Sequence, residues 1–181
     1  MRRYFLAYAW KLLLLRGIMA TLFALVAIFL PAIAFSTLIL LFGAWLIFNG
    51  ILTIIGGIRS RHEDPHWWIA LLAGLVGLLL GIYTYANPIV TAATIMILIG
   101  IWSILIGIAE IIFAIRIRKT IEGEGWLIAG GVISVIFGLL LLANPIQGGI
   151  TLTLLLGVYA LIMGLFFIIL GLRIRKMANK P

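Results

Sequence analysis

Apolar residues run through six long stretches of the chain, and polar residues gather in the short segments between them. The stretches are Leu12–Leu30, Ala32–Ile58, Trp67–Ala86, Ile89–Ile115, Trp126–Ala143 and Ile146–Leu172. About 20 apolar residues in a helix span the hydrocarbon core of a bilayer. The first, third and fifth stretches have just that reach. The second, fourth and sixth are long enough to tilt or to project past the headgroups. The pattern predicts an all-α integral membrane protein with six transmembrane helices.

The punctuation between the stretches recurs. Pro31, Pro88 and Pro145 lie 57 residues apart, and the same shift aligns Gly17, Gly74 and Gly131, then Gly43, Gly100 and Gly157, then Gly50, Gly107 and Gly164. It also aligns Arg59, Arg116 and Arg173, followed by Arg61, Arg118 and Arg175. The chain therefore reads as one membrane domain, residues 1–181, built from three tandem units at approximately 10–66, 67–123 and 124–181. Each unit is a helical hairpin with its turn at the proline. In the second and third units the turn is Asn87-Pro88 and Asn144-Pro145, where Asn can cap the next helix and Pro suits its first position. The first unit has Leu30-Pro31 instead. Arg2, Arg3, an apolar run and Ala32-Ile33-Ala34 imitate a secretory signal, but that segment is an integral part of the first unit. Two helices per unit leave successive units parallel, with pseudo-threefold symmetry about the membrane normal.

Small residues mark the faces on which the helices pack. The even stretches carry Gly43, Gly50 and Gly57, then Gly100, Gly107 and Ala114, then Gly157, Gly164 and Gly171, at every seventh position. The odd stretches carry Gly17, Ala20 and Ala24, then Gly74, Gly77 and Gly81, then Gly131, Ser134 and Gly138. Lipid supplies little hydrophobic force between helices, so close van der Waals contact across small residues holds them together. Each hairpin is expected to be zipped through these faces; the alternative is that they line a narrow path.

Composition sharpens this picture. With 65% hydrophobic and 10% charged residues and a mean hydropathy of +1.32, the exterior must face lipid. The absence of cysteine excludes disulfides, thiolate metal sites and cysteine nucleophiles. The net charge of +8 is positional: all 13 Lys and Arg lie before the first helix, in its first turns, or after the even stretches. Basic short loops stay cytoplasmic, so both termini are expected inside. The scattered charge makes no nucleic-acid groove, but it favours attraction to anionic lipids. The long even stretches leave surface for a homo-oligomer.

No triad, phosphate loop, cofactor box or metal-ligand set appears. His62 and His66, with Glu63 and Asp64, read as a solvated loop because Pro65 interrupts their spacing. Two ionisable residues do fall inside apolar stretches. Arg16 lies five residues beyond Lys11, and Glu110 six residues before Arg116, which puts both some 8–10 Å in from the cytoplasmic end at about 1.5 Å per residue. Their equivalents are Ala73 and Gly130, and Thr53 and Phe167, so each breaks the repeat. They read as an intramembrane ion pair, as a snorkelling arginine beside a hydrogen-bonded carboxyl, or as a proton site with Glu110 titrating. Asn49, with Ile106 and Met163 as equivalents, is expected to bond a neighbouring helix. Trp45, Trp102 and Tyr159 align mid-helix, as core or lipid-facing residues.

The segments "LLLRGIMATLFALVAIFLP", "GAWLIFNGILTIIGGIRSR" and "GIWSILIGIAEIIFAIRIRK" resemble the HdeD-like acid-resistance membrane proteins of bacteria. The likeness runs from Leu12 to Lys176 and includes Arg16-Gly17, the proline turns and the Gly-x6-Gly helices ending in Arg-x-Arg. It implies an inner-membrane protein of six helices associated with survival of acid stress, and it implies no enzymatic reaction. Two mechanisms follow: a structural or interaction protein, or a small proton or ion channel or transporter with Arg16 and Glu110 at its cytoplasmic mouth. An enzyme acting on lipid has no residues to carry it.

Overall fold

The computed structural model describes residues 2–62, 64–117 and 124–178, and within them every regular element is a helix. In order these are α1 (Arg2–Phe29), α2 (Pro31–Ser60), α3 (Trp67–Ala86), α4 (Pro88–Ile117), α5 (Glu124–Ala143) and α6 (Pro145–Ala178). All six are long and apolar enough to cross a membrane, α1 over Trp10–Phe29. Glu63 and Arg118, expected in a solvated loop and at a basic helix end, lie outside the described residues.

The even helices begin on their prolines, as expected for a residue that has no N–H to lose at the first helical position. The elbow is a single residue. Asn87 donates its N–H to the Tyr83 carbonyl, ending α3, and accepts from Thr91 N, starting α4. Leu30 and Asn144 repeat this, accepting from Ala34 N and Gly148 N. The backbone makes all of these bonds. Leu30 makes the same backbone bonds as the two asparagines, so the elbow does not depend on an asparagine side chain. The even helices also run past their apolar stretches, so Arg59, Arg116 and Arg175 sit on last helical turns, where the helix dipole favours cations.

Between α2 and α3 the chain turns tightly. The Asp64 carboxylate accepts from His66 N at 2.8 Å, and the His66 imidazole lies 3.7 Å from it. Arg61 Nε donates to His62 Nε2 at 3.1 Å. Among the described residues, His66–Asp64 is the ion pair found within 4 Å, and no three metal-ligating side chains gather.

The chain divides into two compact units. One holds α1, the first turn of α2 and α6 from Ile150 onward; the other holds Ser36–Gly149, with the rest of α2, then α3, α4 and α5. Burial repeats with the sequence period. On the odd helices the buried positions are Gly17, Gly74 and Gly131, then Ala24, Gly81 and Gly138, then Ala27, Thr84 and Leu141. Ala20, Gly77 and Ser134 are only half-buried, so the odd stripe runs further towards the elbow than the sequence suggests. On the even helices Gly43, Gly50 and Gly57 and all their equivalents are buried. Trp45, Trp102 and Tyr159 are exposed, so none of them is a core residue of this chain.

Candidate functional site

The glycine faces meet between α2 and α3, between α4 and α5, and between α1 and α6, and not within the hairpins that their spacing predicts. Gly50 of α2 and Gly74 of α3 face each other reciprocally. A Cβ on either would stand 2.7 Å from the other's carbonyl oxygen. Gly107 of α4 and Gly131 of α5 repeat the arrangement, at 2.5 and 2.7 Å. Gly17 of α1 and Gly164 of α6 repeat it a third time, at 2.9 and 3.0 Å. Further along each seam Gly43 lies against Thr84, Gly100 against Gly138, and Gly157 against Ala27. The pairs are antiparallel, and α4 packs far more extensively on α5 than on α3.

Turn geometry explains the difference. A one-residue elbow whose backbone is bonded into both helices fixes the rotational phase of its two arms. The face each arm shows the other is then dictated by the turn. The longer loops leave α2 and α3, or α4 and α5, free to rotate until backbone meets backbone. Because no Cβ intervenes, carbonyl oxygens reach the opposing glycine Cα, where weak C–H···O contacts add to dispersion.

The α4·α5 seam carries a carboxyl group and a hydroxyl bond between its helices. Ser103 Oγ of α4 donates to the Ser134 carbonyl of α5 at 2.8 Å. Glu110, half-buried, projects from α4 towards α5. Its Oε2 lies 3.9 Å from where a Gly130 Cβ would stand. At the positions equivalent to Glu110 and Ser103, α2 has Thr53 and Leu46, and α6 has Phe167 and Ala160. Thr53 Oγ1 is turned back on its own helix, to the Asn49 carbonyl at 2.8 Å. Arg16 is exposed on α1, beside buried Gly17.

At the far end of α6, Ile169, Leu172, Arg173, Arg175 and Lys176 line an open groove. Arg175 is held over the Trp10 ring, 5.3 Å from its centroid, and Lys11 lies 5.7 Å from the same ring. Apolar and cationic side chains thus share one helix end.

Asn49 departs from expectation. Its side chain is exposed, and no hydrogen bond is found for it among the described residues. The reason is angular: Gly50 takes the seam with α3, which turns the adjacent residue away from it.

Six membrane-length helices, paired through glycines, define a multi-pass α-helical membrane protein with an internal repeat. The chain belongs to the family described as a short repeat of unknown function (DUF308), which matches it three times, at residues 15–84, 72–143 and 129–181. Successive matches begin 57 residues apart, the period of the prolines. The first two matches run from an odd helix through the next even helix into the odd helix it packs on, so each encloses a complete seam. No curated protein and no solved structure matches the chain.

Proposed function

We propose that this chain is a bacterial inner-membrane protein of the HdeD-like type, serving acid and envelope stress tolerance as a non-enzymatic structural or interaction protein. The observation that carries this reading is the reciprocal glycine packing in all three helix pairs. Such seams devote their sequence to shape, and backbone in direct contact leaves no room for water between the paired helices. Family membership supplies the stress context through the resemblance of the repeat to HdeD-like proteins. In this reading the three units lie parallel in the bilayer, with both termini cytoplasmic because short basic segments stay inside. The groove on α6 then faces the inner leaflet, where Arg173, Arg175 and Lys176 attract anionic lipid.

Survival of acid challenge tests the reading directly. Cells lacking the protein should die faster than cells given the full chain back, and equal survival of the two would overturn it. Topology has a separate test, since the native chain has no cysteine. Ser60→Cys should react with a membrane-impermeant maleimide only from the cytoplasmic side, and Gln147→Cys only from outside. The reverse pattern would invert the orientation.

Glu110 favours a second reading, a small proton or ion channel or transporter. Its carboxyl is half-buried on α4, beside the glycine-bared surface of α5, and the repeat offers no carboxylate at the equivalent positions. In liposomes this reading expects proton flux from the native chain and its loss in Glu110→Gln. Absence of flux from the native chain overturns it and leaves the interaction protein standing.

A further inference from the structure

We propose that α2 carries a second, outward seam through which two copies of this chain dimerise, with Asn49 of each copy hydrogen-bonded to Asn49 of the other.

The first seam of α2 is occupied. Gly43, Gly50 and Gly57 lie against α3. A different set of positions on the same helix is exposed. Phe42, Trp45 and Leu52 are exposed large apolar residues, Asn49 stands among them, and nothing lies within 4 Å of where a Gly56 Cβ would be. Residues 42, 45, 49, 52 and 56 follow the alternating three- and four-residue spacing of a heptad seam. Asn49 holds its central position, and a glycine near its cytoplasmic end permits close approach.

Depth makes the amide significant. Gly50 stands at the middle of α3: a Cβ on Gly77 would lie 3.6 Å from the Gly50 Cα, and Gly77 is central in Trp67–Ala86. The 20 residues of α3 match the thickness of the hydrocarbon core. Asn49 therefore faces outward close to the bilayer midplane, where no water or headgroup can reach it. A carboxamide that bonds nothing in such a place is strongly unfavourable. An exposed leucine there costs nothing, and the equivalents Ile106, which is exposed, and Met163 are both apolar.

The amide identifies its own partner. A carboxamide offers both donor and acceptor, so two of them satisfy each other. All copies of the chain insert the same way round, so two α2 helices meeting outward face to outward face run parallel, and Asn49 meets Asn49 at equal depth. A single polar residue at a central seam position fixes register and oligomeric state. Because α4 and α6 lack the amide, the contact is isologous and closes as a dimer. This inference names the partner for the interaction-protein reading but does not depend on the stress role. Dimerisation is measured without any survival assay, so either idea can fail alone.

The test uses full-length protein in liposomes at graded lipid-to-protein ratios, with association followed by energy transfer between labelled copies. The native chain should dimerise. Asn49→Leu should weaken dimerisation roughly tenfold or more, and Asn49→Gln, which keeps the amide, should retain most of it. Leu52→Cys should cross-link to itself under oxidation, whereas Ile108→Cys, exposed on α4, should not. Far-UV circular dichroism of each variant establishes that the helices are intact. The proposal is overturned if the native chain stays monomeric, if folded Asn49→Leu dimerises as well as the native chain, or if Ile108→Cys cross-links and Leu52→Cys does not.

Discussion

Gly131→Ala is expected to destabilise the α4·α5 pair by roughly 1–3 kcal/mol, while Gly130→Ala, one residue earlier, carries no such penalty. A Cβ at Gly131 would meet the Gly107 carbonyl oxygen and Ile111 Cγ1 at 2.7 Å and Ile111 N at 3.2 Å. Two of these atoms belong to backbone, which cannot turn aside as a side chain can, so the helices must separate. Separation loosens Gly100 against Gly138 and lengthens the Ser103 bond to the Ser134 carbonyl, spreading the loss along the seam. At Gly130 the nearest atom is Glu110 Oε2, at 3.9 Å, an ordinary van der Waals distance. Alanine is also the better helix former. Reversible unfolding in mixed detergent micelles, followed by far-UV circular dichroism, checks the pair of variants. Equal stability of the two would show that the seam does not form as described.

Leu141→Ala should cost about 2 kcal/mol, the lower end of the range for soluble cores. Among the described residues Leu141 is the largest fully buried side chain, only 1% exposed. Its Cβ would stand 3.2 Å from a Cβ at Gly100, and its Cδ2 fills the space where a Gly148 Cβ would go, at 2.5 Å. In a bilayer, unfolding leaves leucine in lipid, so the transfer part of the usual penalty largely disappears and lost packing remains. The repeat suggests the remedy. One position pair, occupied by Leu141 and Gly148, is Ala27 and Ala34 in the first unit, both buried. Gly148→Ala should therefore destabilise the native chain yet restore part of the stability of Leu141→Ala. A double-mutant cycle measures that coupling; strict additivity would mean that the two positions do not share one space.

The positions of the prolines, glycines and terminal arginines made the repeat and the six helices legible without coordinates. The choice of helix partners was not legible in this way. Counted back from the loop at residues 61–66, Gly57, Gly50 and Gly43 interleave with Gly74, Gly77 and Gly81 counted forward. Counted from the Asn87 elbow, however, Gly74 and Gly100 also stand at equal depth, 13 residues on either side, so depth does not choose between the two partners. Glu110 and Asn49 were visible as interruptions of the repeat, but their surroundings were not. A residue's number on a helix gives its angle only relative to its neighbours, so Asn49 could be given a depth but not a direction.

What the sequence determined by itself is the number of membrane-length helices, the places of their proline elbows and their threefold repetition. These depend on local properties: hydropathy over about 20 residues and prolines that restart the backbone. What only the tertiary structure decided is which faces meet: α2 with α3, α4 with α5, and α6 with α1. That choice depends on the rotational phase of whole helices, set by one-residue elbows and by the approach of bare backbone to bare backbone. The same rotation that seals Gly50 against α3 turns Asn49 outward.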